Sequence, residues 1–295
     1  MEQNLYFPGA TDLVCTPLGN ICKGQDGAIY NGLLFRFGSK GTCRVYDLKT
    51  LAEVGAFTLD RVELLMPHSN SVFFGNFYCV TDEFPLLYTN LYNNYANAEN
   101  RLEGVCCVYR IFRREGIFSS QLVQLLQVDF AHTELWQSAD RRDARPYGNF
   151  VADLQKHHLY AFTMRDSDHT TRFFRFPLPE VTEGELTEPR NVPTVRLRAC
   201  DIQDQFDTDY VNYMQGAVYH KAFIYSLEGF TPPDERGTPK IRVFDIKNKC
   251  QVFVKSFLNC HIPNEPEWID IYQDKIYYVN HNGDVYTITF RGEKQ

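Results

Sequence analysis

The sequence predicts an all-β chain in which a four-stranded antiparallel unit repeats. Three observations carry this reading. Aromatics make up 15% of the 295 residues, with 23 Phe and 18 Tyr against 4 Met, a bias that suits pleated, half-buried strands better than helices. Short runs that alternate apolar and polar residues recur between turn residues, whereas helical spacing is scarce. One hexapeptide also returns: Arg44-Val45-Tyr46-Asp47-Leu48-Lys49 is matched by Arg242-Val243-Phe244-Asp245-Ile246-Lys247, by identity or close similarity at each position.

Three weaker copies share the alternation: Val108-Tyr109-Arg110-Ile111, Phe173-Phe174-Arg175-Phe176 and Val285-Tyr286-Thr287-Ile288. In each, the aromatic and the apolar residue two places later fall on one face of a strand. The surroundings repeat too. A small-residue strand and an aromatic strand precede the copy: Gly27-Ala28-Ile29-Tyr30 then Leu33-Leu34-Phe35-Arg36-Phe37, or Gly216-Ala217-Val218-Tyr219 then Ala222-Phe223-Ile224-Tyr225-Ser226. The tight connection between them fits an antiparallel hairpin. Another strand follows the copy, at 54–59 or 252–258.

A four-stranded unit of about fifty to sixty residues is the size of a β-propeller blade. Small residues in the first strand have a physical reason, since innermost strands crowd around the axis. The blades expected are residues 20–60, 67–130, 145–207, 211–260 and 264–290, within one domain spanning 11–290. The count is five, or six if the long second segment holds another. The last copy lacks an outer strand, and Asp12-Leu13-Val14-Cys15-Thr16 is expected to supply it, closing the ring without an open edge. The rival is a two-domain α/β enzyme, which needs helices between strands. Only Ser120–Val128 offers a good helix, and it reads equally as the outer strand of blade two.

Blades four and five carry a resemblance. Met214-Gln215-Gly216-Ala217-Val218-Tyr219, Glu228-Gly229, Ile241-Arg242-Val243-Phe244-Asp245-Ile246 and Glu265-Pro266-Glu267-Trp268-Ile269 resemble bacterial propellers of the gluconolactonase-like and helveticin-like kind. There the residue after Glu-Pro-Glu is usually Gly; here it is Trp268. The resemblance implies the fold and transfers no catalytic residue.

Residues 1–9, Met1-Glu2-Gln3-Asn4-Leu5-Tyr6-Phe7-Pro8-Gly9, lack the charged and apolar regions of a secretory signal. They resemble, with an extra Gln3 and with Pro8, a tag-removal site, so residues 1–10 are expected to be an expression scar or disordered tail and 291–295 a second tail. Nine Cys without framework spacing, mostly in apolar runs, read as buried free thiols of a reducing, cytoplasmic compartment. A native signal lost from the start would make the protein secreted instead. No Cys-x-x-Cys pair supports a zinc or redox motif. No apolar run is long enough to span a membrane. The net charge of −7 argues against a general nucleic-acid binder.

In a propeller, the chain comes into each inner strand and leaves each second strand at the same face, where the central channel opens. Aligning the repeats places Asp26, Asn70, Tyr147, Gln215 and Glu267 at the starts of inner strands. His68, Arg145, Tyr213 and Glu265 lie two residues upstream, and Arg36, Asn90, Arg165, Glu228 and His281 at the second-strand ends. The ligand-binding residues expected from this ring are Asp26, Arg36, His68, Asn70, Arg145, Tyr147, Arg165, Gln215, Glu228, Glu267 and His281. The leading expectation is a propeller that binds a small polar ligand or a protein partner there, without a cofactor. The alternative is a glycoside hydrolase or lactonase using His68, Glu228 and Glu267, since paired carboxylates divide acid and base roles; a metal ion belongs only to that alternative. A third reading is an interaction scaffold. Weaker features read as structure: Asp201, Asp204, Asp207 and Asp209 as a solvated acidic loop without calcium-loop spacing, and Arg141–Arg145 as a charged loop. His157 and His158 would point to opposite faces of a strand.

Overall fold

The structure, a computed structural model, describes residues 1–65, 67–91, 104–129, 144–145, 149–165, 169–187, 191–209, 214–230 and 237–292. Its sheets form five blades around a channel. Blade one runs from inner to outer strand through Gly27–Tyr30, Leu33–Phe37, Thr42–Asp47 and Glu53–Thr58, all antiparallel. Blade four repeats it with Met214–His220, Phe223–Glu228, Lys240–Asp245 and Cys250–Ser256. In blade three the inner position is shared by Ala144–Arg145 and Phe150–Asp153, both paired with His158–Arg165, and Thr170–Pro177 and Asp204–Asp209 follow.

The hairpin turns follow from backbone geometry. Asn31 and Gly32 have φ of 47° and 74°, Lys221 and Ala222 48° and 70°, and Gln273 and Asp274 50° and 55°. Two consecutive positive φ values define the two-residue turn whose twist matches the flanking strands. The same turn therefore joins the first two strands of blades one, four and five.

Blade two comprises Val72–Phe74, Leu87–Leu91, Val105–Arg114 and Ile117–Val128. The last of these settles the Ser120–Val128 run as an outer strand. It does not end the sheet. A hairpin of Glu185–Thr187 and Val192–Leu197, thrown out between the last two strands of blade three, adds Val192–Leu197 in parallel along Ile117–Val128. Blade five comprises Pro266–Tyr272, Lys275–Asn280 and Asp284–Gly292. Its outer strand is Ala10–Asn20, antiparallel to Asp284–Gly292, as the sequence predicts. The opening residues join the same edge: Glu2 and Gln3 pair with Arg291 and Phe290, and the Tyr6 ring packs edge-on against Phe223 and Phe290. The chain is a five-bladed β-propeller.

The apolar core divides into five clusters, one at each junction between blades. Phe35, Phe37, Phe74 and Phe118 fill the first junction, and Tyr88, Val108, Phe150 and Phe174 the second. Phe162, Phe173, Ile224 and Phe244 fill the third, Tyr225, Phe253, Tyr278 and Phe290 the fourth, and Trp268, Leu34, Tyr46 and Val279 the fifth. Facing sheets diverge from the axis, and flat rings fill the wedge with large area at little rotamer cost. This accounts for the aromatic excess. Among the described residues, no helix is long and apolar enough to cross a membrane.

Candidate functional site

The channel mouth is built by a recurring local distortion. In blade four the pairing slips between Met214 and Gly216, and in blade five between Pro266 and Trp268. Gln215 and Glu267 are the extra residues of these bulges, which re-aim one side chain without ending the strand. Blade one has Asp26 just ahead of its inner strand. There the Phe37 N–H donates to the Asp26 carbonyl at 3.0 Å. All three side chains are buried.

Polar groups of the mouth bond across blade junctions. Asp26 Oδ2 accepts the Val72 N–H at 2.7 Å. Ser71 Oγ donates to the Phe150 carbonyl at 2.6 Å. Gln215 Nε2 donates to Glu265 Oε1 and to the Gly229 carbonyl. Asn70 and Asn90 of blade two pair through their side chains, and Asn70 Nδ2 reaches the Met214 carbonyl of blade four at 3.4 Å. Arg36 is wholly buried. It spends its guanidinium on the carbonyls of Gly24, Gln25 and Asn280, the last of them in blade five.

Electrostatics follow from burial. Removal from water pushes the Asp26 carboxyl well above the usual carboxylate range, although the Val72 N–H and the Arg36 charge oppose it. Burial likewise pushes Glu267 up, against the opposing pull of His281 and Arg36. Burial holds Arg36 below its ordinary value, while Glu267 and Asp26 support its charge. His281 Nδ1 lies 2.9 Å from Glu267 Oε1, and this bond raises the imidazole above its ordinary value. The Glu267 carboxylate keeps one oxygen, Oε2, buried and without a hydrogen-bond partner among the described residues.

The other candidates fall in different surroundings. Glu228 is fully buried between two cations, with Arg242 Nε at 2.5 Å and Lys240 Nζ at 3.7 Å. That arrangement neutralises it. His68 is half-buried, and loss of water around it pushes its ring down to about 4, so it is neutral at ordinary pH. Ala144 and Arg145 pair with Arg165 and Met164, placing both arginines at one end of blade three; their side chains, like the whole of Tyr147, lie outside the described residues. The acidic run departs from expectation. Asp204–Asp209 is the outer strand of blade three, and its acids pair with cations, Asp207 with Arg172 and Asp204 with Lys249. His157 sits in the preceding turn with φ of 54°, and His158 opens the following strand.

Sequence reasoning passed over Asn149, fully buried two residues beyond Tyr147, whose amide atoms have no partner among the described residues. The inner strand of blade three opens at Phe150, two residues later than the alignment placed it, so the register on which the alignment relied shifts. It also passed over Asp270, which reads as an ordinary polar position of a strand. At the opposite end of the channel, Asp270 helps line a cavity of about 300 Å³ with Tyr30, Phe73, Phe74, Tyr219 and His220. Both its oxygens are taken, by the N–H groups of Ile29 at 2.6 Å and Ile271 at 2.7 Å. The Tyr219 hydroxyl donates to Asp153 at 2.7 Å.

The chain matches no protein-family model and no curated protein in sequence. Solved structures resemble it in shape. Glutaminyl cyclase of Myxococcus xanthus is 10% identical over 97% of each chain, with a TM-score of 0.47. Sqt1 of Saccharomyces cerevisiae is 10% identical over 89% of this chain, with a TM-score of 0.37, and this chain spans 56% of it. These likenesses concern the fold and leave the site to be read from its own residues.

Proposed function

We propose that this propeller binds a small polar ligand at the channel mouth formed by Asp26, Gln215, Glu267 and His281. One observation carries the reading: Glu267 is buried, yet its Oε2 has no hydrogen-bond partner among the described residues. A buried acceptor left unmade costs about 1–3 kcal/mol, so a group that returns only upon binding is a physical reason to keep it. Most side-chain groups here are acceptors, which favours a ligand bringing N–H or O–H donors or a positive charge, such as an amine or a polyol. The cavity at the opposite end has the size of a ligand pocket, but Asp270 and Tyr219 there already have their partners.

The test is a thermal-shift screen of the full chain with monosaccharides, amino acids, polyamines and dicarboxylates. At least one donor-rich class is expected to raise Tm in the wild type and to lose that effect in Gln215→Ala. A shift kept in Gln215→Ala but lost in Tyr219→Ala would move the site to the opposite face and overturn the proposal, and so would the absence of any shift.

A further inference from the structure

The geometry points to a divalent transition-metal site formed by Glu265, Glu267 and His281, with zinc or manganese as its cation. This deepens the reading above and rests on it for the location of the site. The three residues each offer a ligand atom, and these atoms lie within 4.8 Å of one another. Strand geometry explains the cluster. Glu265 and Glu267 are two apart and flank Pro266, with the bulge at Glu267 turning its side chain. His281 follows directly on the facing strand, its N–H bonded to the Glu265 carbonyl at 2.8 Å.

The site is graded in depth. Glu267 is the floor at 1% exposure, and His281 the rim at 48%. A cation can thus reach the buried carboxylate from solvent. The second observation is again the Glu267 carboxylate, whose Oε2 is buried and without a hydrogen-bond partner among the described residues. Arg36 does not fill that role: its Nη1 and Nη2 are directed at three carbonyls, and its Nε makes no hydrogen bond to Glu267. Two carboxylates and one imidazole suit zinc or manganese, whereas calcium prefers an all-oxygen shell. Three protein ligands leave positions for water or for the donor of a bound molecule.

Chelator-treated full-length protein is titrated with Mn²⁺ by electron paramagnetic resonance, and with Zn²⁺ by calorimetry in a Cys200→Ser, Cys250→Ser background that removes the exposed thiols. One equivalent is expected to bind. Glu267→Gln and His281→Ala should each weaken binding at least tenfold, while Asp204→Asn on the outer strand of blade three should not. His281→Ala keeps the test open should loss of the Glu267 charge impair folding. No stoichiometric binding of either cation, or binding unchanged in both variants, would overturn the metal site. If metal binding fails while a small-ligand shift sensitive to Gln215→Ala persists, the cation is wrong and the channel-mouth reading stands; if both fail, both are wrong.

Discussion

Asp26 Oδ2 accepts the backbone N–H of Val72 at 2.7 Å, so a side chain of blade one holds the inner strand of blade two. Side-chain bonds span the other junctions too, to backbone at two of them and between side chains at the other two. Ser71 bonds Phe150, Tyr219 bonds Asp153, Gln215 bonds Glu265, and Asp270 bonds Ile29. Inner strands present backbone groups to the channel that lateral pairing does not reach, and buried groups of that kind need partners. The polar groups at both ends of the channel therefore tie the blades together first, and the candidate site is what those bonds leave unsatisfied at the mouth.

These bonds make their own prediction. Asp26→Asn retains an acceptor for Val72 and removes a carboxylate that burial disfavours, so it should change stability by less than about 1 kcal/mol. Asp26→Ala leaves the Val72 N–H buried and unpaired and should cost about 1–3 kcal/mol. Urea denaturation measures both. Equal losses in the two variants would show that the charge, and not the acceptor, is what matters.

Crowding at the axis gives a graded test. A Cβ on Gly27 would lie 2.6 Å from the Phe35 carbonyl and 3.3 Å from Trp268 Nε1. On Gly216, the nearest atom would be the Glu267 carbonyl at 3.1 Å. Gly27→Ala should therefore lower stability by about 1–3 kcal/mol, and Gly216→Ala by less. Gly32→Asn is the control, because its φ of +74° is one Asn adopts readily and nothing lies near its Cβ position. Thermal denaturation should rank them in that order. Trp268 fills the junction against blade one, and that blade supplies Gly27 opposite it.

Two half-buried groups should bend the pH dependence of stability in opposite directions. Burial pushes the Asp270 carboxyl from 3.8 up to about 7. The folded chain then holds the proton more tightly than the unfolded chain, so this stabilisation is complete below about 4 and is lost as pH rises through 7. Burial pushes His68 from 6.5 down to about 4. The unfolded chain takes that proton first, so stability is full above 6.5 and erodes as pH falls toward 4. Relative to wild type, Asp270→Asn should lose Tm on going from pH 7 to 4, and His68→Gln should gain it. Parallel Tm curves for the two variants would contradict this assignment.

How much of this was legible in the sequence depends on whether the signal was local. The Arg44–Lys49 repeat, the alternating strands and the Gly27 and Gly216 starts are local, and they yield the blades and their count. The parallel strand Val192–Leu197 was not legible, because parallel pairing with a strand about seventy residues earlier leaves no turn signature nearby. At the mouth, Gln215, Glu267 and His281 lie where the alignment put them because blades four and five keep one register. Asn149 was missed because blade three changes it. The neutralisation of Glu228 by Arg242 and Lys240 depends on rotamers, which alternation does not encode.

The closing strand offers the last test. Ala10–Asn20 covers Asp284–Gly292 along almost its whole length, and Leu13 enters the core between blades four and five at 3% exposure. Without residues 1–20, the edge of Asp284–Gly292 would be bare, and a bare edge is a template for pairing with another chain. The truncated chain should melt at lower temperature and associate as concentration rises, as size-exclusion chromatography coupled to light scattering would show. Adding a peptide of residues 10–20 in trans should restore a monomer, because the edge needs a strand and not a covalent connection to it. A truncated chain that stays monomeric with unchanged Tm would mean that blade five closes by its own three strands.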